Sequence, residues 1–256
     1  MDNDAFEKQM RELEYFHSLR LLPQAWVIIR VDGRGFSRFT KSRFEKPFDV
    51  KFHSLMVQTA KALIEELHGI YAYTESDEIS VLFRPEWDFW DRSLEKIVSI
   101  SASIASATFT HGAETVVNFD SRVWLGANKS QVIDYFNWRQ ADATRCALNG
   151  WCYWTLRKSG ESVGNATSAL EGKSVAFKNQ LLFQNGINFN ELPAWQRRGT
   201  GLYWEKYEKE GYNPIQDKAV LTTRRRIKIE EELPMKDAYG EFIRHILATH
   251  EAAKEA

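Results

Sequence analysis

The run Ala25-Trp26-Val27-Ile28-Ile29-Arg30-Val31 is apolar, rich in β-branched side chains, and stops at Asp32-Gly33. That pattern predicts a buried strand ending in a turn, with Asp32 at the strand's end. From Asp49 to His68 the apolar residues Val50, Leu55, Val57, Leu63, Ile64 and Leu67 recur near helical spacing, and Gly69 closes the helix. Ile70–Tyr73 and Ile79–Phe83 then flank the polar stretch Thr74-Glu75-Ser76-Asp77-Glu78. This predicts two strands joined by a tight hairpin, with Asp77 and Glu78 at its tip. A helix over about Ser93–Phe109 and a strand from Val116-Val117-Asn118-Phe119 to Val123-Trp124-Leu125 complete the order strand, helix, hairpin, helix, strand. Two helical crossovers around a hairpin imply an α+β fold: a ferredoxin-like four-stranded antiparallel sheet with helices on one face.

Helical spacing over Gln131–Leu156, Lys173–Phe183 and Tyr239–His250 adds a helical C-terminal extension. No repeat, linker or low-complexity segment divides the chain, so residues 1–256 are expected to form a single domain. A catalytic core would span about 6–135 and the extension about 136–256. At 43% hydrophobic residues the chain can bury a sizeable core, which excludes intrinsic disorder. The formal charge of −1 supplies no global positive field, so any polyanion must be met by a local patch. Cys146 and Cys152 form neither a CxxC pair nor a disulfide framework, which fits a reducing compartment. The acidic, polar N-terminus is no signal peptide, and no run approaches the roughly 20 apolar residues of a membrane span. A soluble cytoplasmic protein without a membrane partner is expected.

Carboxylates therefore stand at the ends of two predicted strand groups, Asp32 after one and Asp77 with Glu78 after the next. In the sheet order above those ends are neighbours. Mg²⁺ is commonly held by one or two carboxylates together with substrate phosphates, and two such ions can clamp a nucleotidyl transfer. Singly, an Asp-Gly turn and a Ser-Asp-Glu tip are ordinary loop chemistry. Together, each beside an apolar strand, they are more specific. Around Asp32, Gly33 and Gly35 free the backbone to approach a phosphate, and Arg30, Arg34 and Arg38 offer planar donor forks.

The familiar nucleotide loops are absent. Arg38 stands where a dinucleotide fingerprint needs its third glycine, and Thr167 where a P-loop ending at Lys173-Ser174 needs its first. The six histidines include no HExxH motif, and neither cysteine has a histidine at a recognisable spacing. Lys46, Arg30 and Lys96 are candidate grips for a metal-clamped triphosphate. Basic and aromatic residues mix in Trp138-Arg139-Gln140, Trp154-Thr155-Leu156-Arg157-Lys158, Trp195-Gln196-Arg197-Arg198 and Arg224-Arg225-Arg226. Such mixtures stack bases and bind phosphates, although core tryptophans and a surface pairing of Arg224–Arg226 with Glu230–Glu232 explain them equally well. Arg139, Arg145, Arg157 and Arg198 are the candidate RNA contacts.

In several of these segments the chain resembles the tRNA-histidine guanylyltransferase superfamily, whose members add nucleotides in the 3′-to-5′ direction. The carriers are Arg30–Phe36, Lys46-Pro47-Phe48-Asp49, Ser76-Asp77-Glu78, Phe119–Val123, Trp138–Asp142, Gly172-Lys173 with Lys178-Asn179, and Arg198-Gly199-Thr200, within about Phe6–Tyr207. The resemblance implies a core similar to the palm of polymerases, with Asp32 and Asp77 binding two Mg²⁺ ions. It also implies the Gly33 carbonyl as an added ligand and Glu78 as support. Asp32, Gly33, Arg34, Gly35, Phe36, Ser37 and Ser76 would line the nucleotide and triphosphate site. Lys46 and Asp49 match positions near the base and ribose of the activating ATP or GTP. Arg30 and, by alignment offset, Lys96 match basic residues beside the triphosphate. A homotetramer, a dimer of dimers, is implied as well.

Two departures bear on substrate. Eukaryotic histidine-tRNA enzymes follow Trp138–Asp142 with a His-Ile-Asn-Asn motif, where this chain has Thr144-Arg145-Cys146-Ala147. Ser37 replaces a histidine common in the same enzymes. The stretch Arg145-Cys146-Ala147-Leu148-Asn149-Gly150 is similar to the guanylyltransferase-like proteins of bacteria, archaea and some other lineages, which prefer repair of 5′-truncated tRNA, and Ser37 removes any role resting on an imidazole at that position. The expectation is a template-dependent 3′-to-5′ nucleotidyltransferase that takes nucleoside triphosphates and a truncated tRNA or tRNA-like RNA. The alternative is addition of a single guanylate to histidine tRNA. A nucleotide cyclase on the same palm and a non-catalytic RNA-binding module remain rivals from other classes.

Overall fold

The computed structural model describes residues 3–213 and 217–252. The expected first strand is β1 (Trp26–Gly33), preceded by helix α1 (Asn3–Leu13). After it come α2 (Phe36–Lys41), α3 (Val50–Glu66), β2 (Tyr71–Glu75), β3 (Glu78–Phe83), α4 (Leu94–Ala113) and β4 (Phe119–Gly126). The remainder comprises α5 (Lys129–Lys158), α6 (Val163–Leu170), α7 (Val175–Gln184), α8 (Ala194–Arg198), β5 (Thr200–Asn213), β6 (Lys218–Glu230) and α9 (Asp237–Ala252). The strands form one antiparallel sheet in the order β4-β1-β3-β2-β5-β6. Its first four members reproduce the expected ferredoxin-like order.

Two features go beyond the expectation. Helices cover both faces of the sheet, not one. Val27, Ile29 and Val31 of β1 pack with Met56, Ala60 and Leu63 of α3 and with Ile97 and Phe109 of α4. Trp26 and Ile28 point the other way, into a cluster with Val132 and Phe136 of α5 and Tyr239, Ile243 and Leu247 of α9. A strand buried on both faces has no polar side to show, which is why β1 reads as an unbroken apolar run. The C-terminal extension is helical over α5–α8 and α9, but it also returns β5 and β6 to the sheet. Only Thr200–Tyr203 of β5 pair with β2, while the pairing with β6 continues from Gly201 to Asn213. Most of this ribbon is exposed, so its mixture of Glu, Lys and Arg carries no period-2 apolar signal.

Helix starts follow side-chain caps. The Asn128 side chain accepts the Gln131 N–H at 3.0 Å at the head of α5, and Ser162 and Ser174 cap α6 and α7 in the same way. The second half of α5 builds a third apolar cluster, in which Leu148 and Cys152 meet Leu170 of α6 and Leu182 of α7. Both cysteines are free, and burial pushes the Cys152 thiol up to about 11. No helix among the described residues is long and apolar enough to cross a membrane.

The entry to β1 is held by Arg92. Its guanidinium donates to the carbonyls of Pro85, Trp87, Leu22 and Ala25 at 2.7–3.2 Å, tying the segment before β1 to the turn after β3. Removing it leaves buried carbonyls without donors. Arg92→Met is therefore expected to destabilise the protein by about 3 kcal/mol in urea unfolding.

Candidate active site

Asp32 is the penultimate residue of β1, where the antiparallel register sets it opposite Glu78 on one side and Asp120 on the other. The β2–β3 hairpin brings Asp77 to the same end of the sheet, and the Gly33 N–H donates to the Asp77 carbonyl at 3.0 Å. Ser76 occupies the tip with φ +50° and donates through Oγ to Asp77 Oδ1 at 3.0 Å. Gly33 is needed for packing, because a Cβ there would lie 2.4 Å from the Phe36 ring. That ring is core, in contact with Phe109 and Phe119. Gly35 starts α2 with φ +74°, a conformation that suits glycine.

Burial is the largest cause of the raised carboxylate pKa values here, and like charges add to it. Burial and then the Asp120 charge raise the Asp32 pKa, against lowering by Arg122, Arg30 and Arg139. Burial also raises Asp77, with Asp32 adding to it and Ser76 and Lys46 opposing. Glu75, at the end of β2, is raised to about 8 by burial and then by Glu78. Glu78 itself is raised by burial, although Arg139 grips it from both ends: Nε donates to Oε1 at 2.8 Å and Nη2 to Oε2 at 2.9 Å. Arg30 Nε lies 3.7 Å from Glu78 Oε2. Asp32, Asp77 and Glu78 thus converge as expected. Glu75 and Asp120 join them unanticipated, and the β1–β4 pairing was the signal that could have found Asp120.

A cavity of about 360 Å³ opens beside Asp77. Ser37, Lys46, Asp49 and Ser76 line it, with Phe44, Phe48, Phe52, Trp154 and Trp195 as aromatic walls. Burial lowers the pKa of Lys46, against the nearby Asp77 and Asp49, and its Nζ donates to Thr40 Oγ1 at 2.6 Å. Asp49 is the N-cap of α3. Its carboxylate accepts the N–H groups of Lys51, Phe52 and Glu45 at 2.7–3.0 Å, so its oxygens are committed to backbone. His53, which sequence reasoning did not single out, stacks on Trp195 with ring centroids 4.2 Å apart and meets Thr200 Oγ1 at 2.9 Å. Burial lowers it to about 4, so the imidazole is neutral at pH 7.

Other expected residues lie elsewhere. Lys96 is exposed on the first turn of α4, whose opposite end leads into β4 beside Gly33; it does not line the cavity. Arg139 is internal, committed to Glu78 and, at 3.3 Å, to Asp142. Arg145 is exposed and pairs with the same Asp142. Arg157 donates to the Glu161 carbonyl, and Arg198 to the Leu233 carbonyl at 2.9 Å. Arg226 pairs with Glu205 at 2.8 Å across the β5–β6 ribbon, not with Glu230–Glu232.

Among the described residues no group of three or more His, Cys, Asp or Glu side chains is arranged to hold a metal ion alone. The donors present at the sheet end are hard oxygens, the Asp32 and Asp77 carboxylates, with pKa values raised first by burial and then by neighbouring carboxylates. That set suits a hard divalent cation that completes its shell with water and phosphate oxygens.

Residues 7–140 match the family described as tRNAHis guanylyltransferase (Thg1), and residues 130–240 the Thg1 C terminal domain. A probable tRNA(His) guanylyltransferase of Mus musculus is 34% identical over 227 residues, 80% of this chain and 76% of the mouse protein. The chain belongs to the tRNAHis guanylyltransferase family. A Drosophila melanogaster member is 37% identical over 194 residues, covering 71% of this chain and 68% of its own. A bacterial Thg1-like protein solved in complex with GTP superposes with a TM-score of 0.72 at 27% identity, covering 94% of this chain and 98% of the other. The bacterial protein in complex with ATP gives 0.73 at 26% identity and the same coverage. The Saccharomyces cerevisiae tRNA(His) guanylyltransferase gives 0.69 at 27%, covering 75% of this chain and 91% of its own. The Thg1 fold therefore carries a nucleotidyltransferase with tRNA as its family substrate.

Two stability measurements follow for this family member. At Asp49 burial is outweighed by the backbone donors and Lys51, so its pKa is lowered. A lowered carboxylate stabilises above its unfolded value and loses that effect as pH falls. Asp49→Ala is expected to cost about 1 kcal/mol at neutral pH, a gap that closes on acidification below about pH 3.9. Glu75 has the opposite sign: its stabilisation is present below the unfolded value and is lost as pH rises toward about 8. Without divalent cations, wild-type stability should fall between about pH 5 and pH 8, and Glu75→Gln should flatten that slope in pH-dependent thermal melts.

Proposed function

We propose that this Thg1 family member transfers guanylate to the 5′ end of histidine tRNA. The observation that carries the reading is the convergence of Asp32 and Asp77 beside an aromatic-walled cavity. The names of its relatives point to the same substrate. ATP or GTP would enter the cavity, as the titles of the bacterial complexes suggest for those proteins. The aromatic walls would take the base, and Lys46, Ser37 and Ser76 would face the phosphates.

Asp32, Asp77 and the Gly33 carbonyl are the residues that would hold Mg²⁺. When bound, the two ions supply Lewis-acid stabilisation of charge on the attacking and leaving oxygens. Arg139 and Arg30 hold the Glu78 carboxylate turned toward them and oppose the rise in its pKa that burial causes. In the proposed sequence the RNA 5′-monophosphate attacks the α-phosphate of the nucleotide and pyrophosphate leaves. The 3′-hydroxyl of an incoming nucleotide then attacks the activated phosphate and expels the nucleoside monophosphate. A cytoplasmic homotetramer, a dimer of dimers, would let dispersed arginines of a nearly neutral chain form one RNA groove.

One observation favours a second reading, templated repair of 5′-truncated tRNA. Thr144–Ala147 offers no imidazole, and the Thr144 hydroxyl is engaged with the Gln140 and Arg197 carbonyls at 3.0 and 2.8 Å. A single-turnover assay with Mg²⁺, ATP and all four nucleoside triphosphates separates the two. Preference for one guanylate on full-length histidine tRNA supports the first, and extension of a tRNA lacking its first nucleotide supports the second. No extension of either overturns both. Asp32→Asn and Asp77→Asn should each lower the transfer rate about 10²–10³-fold or more. Mg²⁺ should raise the melting temperature of the wild type but not of Asp77→Asn.

A further inference from the structure

A second cavity, of about 470 Å³, lies at the corner of the sheet where β5 outruns β2. β5 enters at the catalytic end with Thr200 and advances about 3.3 Å per residue, so this corner is roughly 17 Å farther along the strand. The walls come from Tyr203–Lys206 of β5 and from Phe242, Ile246, Thr249 and His250 of α9. Tyr203 and Phe242 meet edge to face at 5.5 Å, giving a rigid aromatic floor. Beyond Tyr203, β5 has no strand partner on the β2 side, so backbone donors are available there.

Charge at this corner is one-sided. The Arg225 guanidinium lies 5.2 Å over the Trp204 ring, and Lys206 stands at the rim. Burial lowers the pKa of His250 to about 4, with the charges of Arg225 and Arg84 adding to it, so the imidazole in the cavity wall is neutral at pH 7. Among the described residues no carboxylate is ion-paired with Arg84, Lys206 or Arg225. Glu205, the carboxylate in the cavity wall, is taken by Arg226 at 2.8 Å. Flat aromatic surface beside uncompensated cations is the chemistry that accepts a base on one side and a phosphate on the other. The volume falls in the range of ligand pockets.

We propose that this corner binds a single nucleotide, with its base against Tyr203 and Phe242 and its phosphate between Lys206 and Arg225. The nucleotide is either free or part of an RNA strand. Nothing in the inference depends on the reaction assigned to the catalytic cavity, and a binding readout keeps the two separable.

The full chain would be photolabelled with 8-azidoadenosine 5′-monophosphate and, separately, with a short 5′-phosphorylated RNA carrying the same base, and the labelled peptides mapped. Labelling of β5 or α9 by either probe is expected, and the better probe identifies the source. Arg225→Glu and Thr249→Trp change exposed positions, so both variants should keep the wild-type melting temperature. Each should cut labelling at the corner by about tenfold or more while changing labelling of the Trp195 peptide by less than about twofold. Absence of β5 and α9 labelling with both probes, or labelling that survives both substitutions, overturns the proposal.

Discussion

The bidentate grip of Arg139 on Glu78 is the contact on which the carboxylate-rich end of the sheet depends. Antiparallel pairing forces Asp32, Glu78 and Asp120 into adjacent registers, and the hairpin adds Glu75 and Asp77. At an effective dielectric of about 20, two charges near 4 Å apart repel by about 4 kcal/mol. Backbone hydrogen bonds hold the strands in place regardless, so the repulsion adds to burial in raising the carboxylate pKa values instead of displacing the strands. Arg139 and Arg30 offset part of it, and Lys46 faces Asp77 from the cavity side. What remains is a negative locus beside a nucleotide-sized cavity, which is what a site completed by cations and phosphates requires.

Helix α5 ties this locus to the rest of the molecule. Its 30 residues span three environments in succession. Val132 and Phe136 pack on the sheet, Arg139 reaches Glu78, and Leu148 and Cys152 carry the cluster with α6 and α7. Tyr153 and Trp154 then line the catalytic cavity. Because one helix carries sheet contact, charge compensation and cavity wall, the spacing between Arg139 and the cavity is set by its rise alone.

Much of this was legible in the order of residues, and the failures have definite causes. β1 to β3 were readable because each holds a short apolar run bounded by turn residues, and the strand-end position of Asp32 and Asp77 followed from them, while β4 was placed from Val123-Trp124-Leu125 and begins at Phe119, after the Val116-Val117 pair expected to open it. The β5–β6 ribbon was not readable, since a strand solvated on both sides has no hydrophobic period. The charged motif around Trp138 suggested RNA contact because an arginine beside a tryptophan looks the same whether it faces solvent or a buried carboxylate. Only the register of β3 against β1 shows that Glu78 lies within its reach. Asp49 shows the same ambiguity, as a loop carboxylate can face a ligand or cap a helix, and here three backbone N–H groups claim it.

The Thr144–Ala147 segment of α5 is joined to the carboxylates at the sheet end by side chains. Arg145 lies within Thr144–Ala147, is exposed, and shares Asp142 with Arg139, whose other partner is Glu78. Asp142 has its pKa lowered: burial would raise it, but the hydrogen bond from Arg145 and the charges of both arginines prevail. A phosphate that drew Arg145 away would leave Asp142 wholly to Arg139, and the pull on Glu78 would weaken accordingly. The exposed Arg145 and the residues that set the charge around Asp32 are therefore linked through one carboxylate. Substitution of Arg145 consequently alters the electrostatics around Asp32 and Glu78 as well as the exposed surface of α5.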